Sequence, residues 1–144
     1  DLSLKMIDIH LQRVMHAPRD VVWAALTDRN ALSEWLMPND FEPILGHRFT
    51  FRTKPAPGFD GIVHSEVLKL DPPHRLVLVW KGGSLNTTLH FLLEEHAQGT
   101  LLTLRHSGFH GLSNVLPRVV LGIGWKSLLD KKLFDRLKEA RHAS

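Results

Sequence analysis

The chain contains no cysteine and no tyrosine among its 144 residues. Without thiols it can form no disulfide, no thiolate nucleophile and no cysteine-ligated zinc or iron–sulfur site. Its aromatic side chains are four tryptophans and seven phenylalanines, so they are almost entirely apolar. These absences exclude several classes of enzyme and metal site.

Long apolar runs are absent as well. The longest uncharged one, residues 119–125, lies between Arg118 and Lys126 and is far shorter than the ~20 residues of a membrane-spanning helix. The opening stretch, residues 1–5, lacks the charged-then-apolar build of a secretory signal. We therefore expect a cytoplasmic protein with no membrane insertion; the lack of cysteine fits an oxidising compartment equally well.

The composition is that of an ordinary globular chain, with 43% hydrophobic and 23% charged residues and a net charge of +3. This length predicts a single domain over residues 1–144. A mild basic excess suits nucleic acid only where the charges cluster beside exposed aromatics. Basic residues of the last predicted helix, such as Lys126, Lys131 and Lys138, are more typical of a solvated helix face. We expect no nucleic-acid partner.

Hydrophobic periodicity predicts the order of the elements. Alternating residues predict a strand over 6–15. Pro18 can begin a short helix, and Asp28 or Asn30 can cap a second one that ends near Trp35. Further strands are predicted at 48–52, 61–70, 76–81, 85–95 and 100–109, separated by short turns. Those turns force antiparallel neighbours, because a parallel crossover needs a dozen residues or more.

From Ser113 or Asn114 a period of 3.6 predicts a helix of about 25 residues. Its apolar face is formed by Trp125, Leu128, Leu129, Leu133 and Leu137. This helix is the one predicted element large enough to cover the apolar face of the sheet. The sequence therefore predicts an α+β fold with a curved antiparallel sheet of about six strands, two short helices after the first strand and a long C-terminal helix.

Three stretches of the chain resemble the signatures of one protein family. They are Ala17-Pro18 with residues 22–28 and Trp35, residues 71–76 with Trp80, and residues 99–109 with Gly124-Trp125. Together they are similar to the homologues of the C-terminal domain of the heat-shock-protein-90 ATPase activator, within the START-like superfamily (also called SRPBCC or Bet v allergen-like). The resemblance runs from about residue 7 to residue 138. It implies a helix-grip fold, in which the sheet wraps the last helix and encloses a pocket.

Two departures from the family pattern fall where the mouth of that pocket would lie. Trp35 is followed by Leu36 and Met37, where the family often has two aromatics. The start of the last helix, residues 115–123, is more apolar than usual. Both changes affect what the pocket would prefer to bind.

Strand parity predicts which side chains face the interior. Glu94 and Arg105 mark the solvent sides of the fifth and sixth strands, so their neighbours in the chain face inward. The predicted cavity lining is Trp35, Met37, Phe41, Phe49, Phe51, Trp80, Leu89, Phe91, Leu104, His106, Phe109, Trp125 and Leu129. Such a set, apolar with one or two polar groups, is typical of a small-molecule site. The alternative is that these side chains simply fill the core.

His106 is the candidate polar group of this lining. It could fix a ligand carboxylate or hydroxyl, or act as an acid or base. Parity places no carboxylate beside it, and Asp40 or Glu42 could reach it only from a loop. The other interpretation is a structural histidine whose hydrogen bonds are satisfied.

Ten histidines raise the question of a metal. Their spacing does not support one, since His106 and His110 are four apart but lie on a strand and in a loop. The glycine pairs lack the spacing of a phosphate-binding loop. We expect no metal and no cofactor.

Three functions stay open. The first is non-catalytic binding of a small hydrophobic or amphipathic molecule between the sheet and the last helix, favoured by the absence of a catalytic arrangement. The second is a co-chaperone-like interaction module with a chaperone contact, and the third is an enzyme resembling polyketide cyclases and aromatases. Leu92 and Leu101, on the outer face of neighbouring strands, could also form a homodimer contact.

Overall fold

The computed structural model describes residues 5–143, and side chains as far as residue 139. The opening residues 1–4, which carry most of the stretch tested for a signal, lie outside the described residues. The strands are β1 Ile9–Met15, β2 Arg48–Arg52, β3 Ile62–Asp71, β4 Arg75–Gly82, β5 Leu85–His96 and β6 Gly99–Ser107. The helices are α1 Arg19–Thr27, α2 Arg29–Trp35, α3 Val115–Ser127 and α4 Phe134–Ala143. The predicted order of elements is confirmed.

All six strands form one antiparallel sheet in the order β1-β6-β5-β4-β3-β2. Strands β3 to β6 follow one another through turns of two or three residues, whereas the longer loop 53–61 joins β2 to β3. The turn between β4 and β5 is Gly83-Ser84, with Gly83 at φ +56°, a conformation that favours glycine. Strand β1 instead pairs with the far end of the sheet, so that Ile9 lies opposite His106.

The two short helices are fixed to each other by polar contacts. Pro18 precedes α1, where its fixed φ suits the start of a helix. Asp28 caps α2, because its carboxylate accepts a hydrogen bond from the backbone N–H of Ala31 at 2.9 Å. The indole N–H of Trp35 donates to the carbonyl of Ala25 at 2.8 Å and ties the end of α2 to α1.

The predicted parity of β5 and β6 is confirmed. Phe91, Leu104 and His106 are at most 1% exposed, whereas Glu94 and Arg105 are exposed on the other face. The sheet therefore has an inner apolar face that the long helix covers. The result is the helix-grip architecture: a curved antiparallel sheet, short helices after β1 and a long C-terminal helix.

The long helix differs from the prediction in one respect. A π-helical turn, Leu128–Leu133, joins α3 to α4. The buried side chains recur at every fourth residue, at Trp125, Leu129, Leu133 and Leu137. Four residues advance an α-helix by about 40° more than a full turn, so a regular helix would rotate these side chains away from the core. The wider π turn offsets that rotation. Leu128, also placed on the apolar face by the sequence, is half-buried and packs against the core.

Candidate functional site

The predicted cavity lining is brought together between the sheet and the long helix. All of its members are buried except Met37, which is half-buried at the end of α2. Neighbouring rings form a continuous series, here called the aromatic layer, made of Phe41, Phe49, Phe51, Trp80, Trp125 and Phe91. Successive ring centroids in this series are 5.1, 5.2, 5.4, 5.5 and 6.3 Å apart. These are contact distances for aromatic pairs, so in this state the rings fill the space beneath the helix.

His106 lies at the edge of the aromatic layer with no exposed surface. The indole N–H of Trp125 donates to its Nδ1 at 3.1 Å, and its Nε2 is 2.6 Å from the hydroxyl oxygen of Thr87. The hydroxyl of Thr87 in turn donates to the carbonyl of Trp80 at 2.9 Å. Because Nδ1 accepts, a neutral ring carries its proton on Nε2 and donates to Thr87. We call this hydrogen-bonded series, Trp125–His106–Thr87–Trp80, the relay. Every polar atom in it then has a partner.

Burial makes the charged form of this ring unfavourable. It lowers the pKa of His106 to about 3, and the charge of His90 acts in the same direction. The imidazole is thus neutral at physiological pH, and both of its nitrogens are already used. This arrangement matches the interpretation of a satisfied structural histidine.

Neither of the two loop carboxylates considered as partners is brought to His106. Asp40 accepts hydrogen bonds from the backbone N–H of Thr50 at 2.7 Å and from its hydroxyl at 3.2 Å. The backbone bond is the main reason that the pKa of Asp40 is lowered. Glu42 pairs with Arg29 at 3.4 Å. Both carboxylates therefore lie among groups outside the aromatic layer.

A second polar group of the inner face is Ser65 on β3. Its side chain lies on the same face as Val63 and Val67, and it is opposite Phe49 of β2. Ser65 is 5% exposed, and its hydroxyl oxygen has no hydrogen-bond partner among the described residues. A buried hydroxyl without a partner costs about 1–3 kcal/mol. Parity could have identified Ser65 and Thr87, since each shares its strand face with buried aliphatic residues.

Helix α3 covers the aromatic layer, and few buried side chains and hydrogen bonds attach it to the rest of the fold. Trp125 is its buried side chain, and Leu121 is half-buried. At its start, the side-chain amide of Asn114 donates to the carbonyl of Ser84 at 3.1 Å. Further along, Arg118 donates to the carbonyls of Ile7 at 2.8 Å and Asp8 at 3.3 Å. Few buried contacts and a few polar tethers are features of a segment that opens at low cost.

The described residues offer no group of three His, Asp or Glu side chains that could hold a metal ion. An open cleft of about 410 Å³ lies on the outer face of the sheet, with Asp40, Thr50, His64 and Glu66 among its lining residues. No helix within the described part of the chain is long and apolar enough to cross a membrane.

The chain belongs to the family of activator of Hsp90 ATPase homolog 1-like proteins, which it matches over residues 16–138. No curated protein is significantly similar in sequence. Protein MLL2253 of Mesorhizobium loti is 28% identical, with a TM-score of 0.84 over 92% of this chain and 98% of that one. BH1534 of Bacillus halodurans is 24% identical, with a TM-score of 0.80 over 93% and 99% of the two chains.

The Aha1 dimer of Colwellia psychrerythraea is 20% identical, with a TM-score of 0.72 over 86% of this chain and 91% of that one. At this identity, as for the Bacillus protein, the likeness is one of fold.

Proposed function

We propose that this chain binds a small hydrophobic or amphipathic molecule between the aromatic layer and α3, without catalysing a reaction on it. The observation that carries the proposal is the contrast between the two sides of this site. The sheet side is a continuous aromatic surface, whereas the helix side buries a single side chain, Trp125, over the 13 residues of α3. In the closed state the rings occupy the interior, so the ligand enters as α3 lifts from the sheet.

Ser65 gives such a ligand a polar contact. Its hydroxyl is a buried group of the inner face without a hydrogen-bond partner in the described part of the chain, and a ligand hydroxyl, carbonyl or carboxyl would satisfy it. An amphipathic molecule therefore fits the site better than a pure hydrocarbon, because its polar end removes the cost of the unpaired hydroxyl.

The chemistry of His106 supports a non-catalytic role. An acid or base needs a nitrogen that can exchange a proton with a substrate. Here Trp125 and Thr87 occupy both nitrogens. A cyclase-like enzyme would need a different acid or base on the inner face, and a co-chaperone would act through an outer surface; both alternatives stay hypotheses.

Native mass spectrometry of the freshly purified protein, compared with its denatured mass, is the first test. We expect an additional mass of a few hundred daltons that is lost on denaturation. In parallel, the neutral fluorescent probe N-phenyl-1-naphthylamine is titrated into ligand-free protein, and energy transfer from tryptophan is followed. Saturable uptake of one probe per chain supports the proposal.

A pair of tryptophan variants locates the probe. Trp125→Phe removes part of the cover and leaves apolar space beneath α3, and such engineered space takes up apolar molecules. We expect this variant to bind the probe several-fold more tightly than the wild type. Trp23→Phe, on the half-buried face of α1, is the matched control and should not change the affinity. Equal affinities in all three proteins would contradict binding beneath α3.

A further inference from the structure

The outer side of the helix start is apolar, which is unusual for a surface helix. Six aliphatic side chains there are between 40% and 84% exposed. They form the outer stripe, which consists of Leu112, Val115, Leu116, Val119, Val120 and Ile123. At about 100° per residue, the five members within α3 share an arc of about 140°, opposite the core-facing side that carries Leu121 and Trp125.

The outer stripe is free of charge. Residues 97–129 contain no Asp or Glu, so no acidic side chain interrupts it. The guanidinium of Arg118 turns away from it, toward the carbonyls of Ile7 and Asp8. Lys126 borders its end. The exposed apolar area is on the order of 500 Å², which lies at the upper end of the patches found on monomeric proteins.

We infer that the outer stripe is the interface of a homodimer in which two α3 helices pack antiparallel about a two-fold axis. The spacing of the stripe is self-complementary. An axis midway between Leu116 and Val119 places Leu112 opposite Ile123 of the second copy, Val115 opposite Val120, and Leu116 opposite Val119. Every member of the stripe then meets another member, as an isologous interface requires.

The size and charge of the stripe agree with this occupant. Two copies together would bury about 1,000 Å² of apolar surface, which is near the lower bound for a specific interface. Two uncharged stripes also meet without the penalty of opposing like charges. A membrane surface fits less well, because membrane-bound helices carry several Lys or Arg residues beside their apolar face. Residues 112–126 contain two basic residues, Lys126 and Arg118, and the guanidinium of Arg118 is bound to backbone carbonyls.

The expected contact thus lies on the helix rather than on the outer face of the sheet. Leu92 and Leu101, considered above as a dimer contact, are both half-buried and less exposed than the members of the stripe. A lysine substitution at Leu101 therefore tests this alternative contact in the experiment below.

Sedimentation equilibrium over micromolar to near-millimolar concentrations tests the inference on the full chain. We expect a reversible monomer–dimer equilibrium for the wild type. The double variant Leu116→Lys/Ile123→Lys should be monomeric over the same range. Ile44→Lys/Leu45→Lys is the matched control, since these loop aliphatics are 56% and 65% exposed away from the stripe, and it should dimerise like the wild type. Circular dichroism shows whether each variant is folded.

A cross-link tests the geometry. Because the chain has no native cysteine, Val119→Cys introduces a single thiol near the proposed axis. A short bis-maleimide should join two such chains rapidly, whereas Leu45→Cys should yield little dimer. A wild type that stays monomeric throughout would overturn the inference. So would a dimer that survives the stripe variant but is lost in Leu101→Lys, or a monomer whose stripe binds anionic phosphatidylglycerol vesicles.

Discussion

The two halves of the long C-terminal helix differ in what their side chains contact. The second half, the π turn and α4, buries Leu129, Leu133 and Leu137 against the core. It is also fixed by ion pairs, from Asp130 to Arg13 at 2.6 Å and from Arg136 to Glu34 at 2.7 Å. The first half, α3, buries Trp125 and presents aliphatic side chains to solvent.

The two halves also differ in how apolar and charged side chains are distributed around the helix. The second half has one apolar side and one charged side, which is the pattern of a helix that only supports a fold. The first half is apolar on both sides. Its inner side covers the aromatic layer and its outer side carries the proposed dimer contact, so the proposed contacts and most of the buried packing fall on different halves of the same helix.

The largest expected change in the free energy of unfolding comes from a matched pair of alanine substitutions, one in each half of the helix. Leu133→Ala removes a fully buried side chain of the second half and should lower the free energy of unfolding by about 2–5 kcal/mol. Leu116→Ala removes an exposed one and should change it by no more than about 0.5 kcal/mol. Urea denaturation of both variants, below the concentration at which dimers form, measures the difference. Equal losses would contradict the difference in packing between α3 and the second half of the helix.

The next effect concerns the relay that joins α3 to the sheet. His106→Asn can keep an acceptor for Trp125 near the Nδ1 position, but it removes the Nε2 partner of Thr87 and leaves a cavity in place of the ring. We expect a loss of about 2 kcal/mol or more in the free energy of unfolding at pH 7. His10→Asn, on the exposed side of β1, should change it little. A loss no larger than that of His10→Asn would show that the relay contributes no stability.

The same variant should alter the pH dependence of stability. In the folded protein the pKa of His106 is lowered to about 3, whereas an unfolded histidine titrates near 6.5. The unfolded chain therefore takes up a proton that the folded chain does not. The contribution of this ring is fully present above about pH 6.5 and falls as the pH drops toward 3, by at most about 1.4 kcal/mol per pH unit. Urea denaturation at pH 7.5, 6 and 4.5 should show the gap between wild type and His106→Asn narrowing toward acid. A constant gap would contradict a buried neutral imidazole.

A smaller effect of opposite sign is expected at Ser65. Ser65→Ala removes the unpaired hydroxyl and should raise the free energy of unfolding of the ligand-free protein by up to about 1 kcal/mol. It should also weaken binding of a ligand with a polar end more than binding of N-phenyl-1-naphthylamine. Ser33→Ala, at an exposed position of α2, is the control. A destabilised Ser65→Ala would indicate that the hydroxyl already has a partner in solution.

The smallest effect on stability is expected for the tether of α3. Arg118→Ala removes the hydrogen bonds to the carbonyls of Ile7 and Asp8. We expect faster amide hydrogen exchange across α3 with the global free energy of unfolding nearly unchanged. Arg48→Ala, whose side chain is 86% exposed in an ion pair with Glu66, should leave exchange in α3 as it was. Unchanged exchange in Arg118→Ala would show that Arg118 does not hold the cover.

The sequence predicts the elements and faces of this fold because those signals are local. Alternation along β5 and β6 is enough to place Phe91 and His106 inside, and Asp28 is recognisable as a cap from its position before α2. The family signatures, spread over most of the chain, add the helix-grip arrangement. The π turn also had a signal, since the apolar residues from Trp125 to Leu137 repeat every four positions rather than every 3.6.

The contents of the site depend on long-range contacts that no local pattern carries. The partners of His106 come from β5 and from α3, and whether its nitrogens are free depends on how the long helix lies on the sheet. The choice between a hollow and a filled interior depends on the ring distances across three strands, the loop that carries Phe41, and the helix. Asp40 accepts hydrogen bonds from Thr50 on β2 and is therefore not a partner of His106. This contact depends on how the loop folds back on β2, which the sequence pattern does not show.

The pairing of β1 with β6 has a consequence for synthesis. β1 is made first, but the strand that completes its ladder begins at Gly99, more than 80 residues later. At typical translation rates, β1 waits on the order of 4–20 s before β6 is made. Until then the apolar face of Ile9, Leu11 and Met15 is without its strand neighbour. The sheet therefore closes last between its oldest and its youngest strands, and a high separation of paired residues is the feature that slows folding.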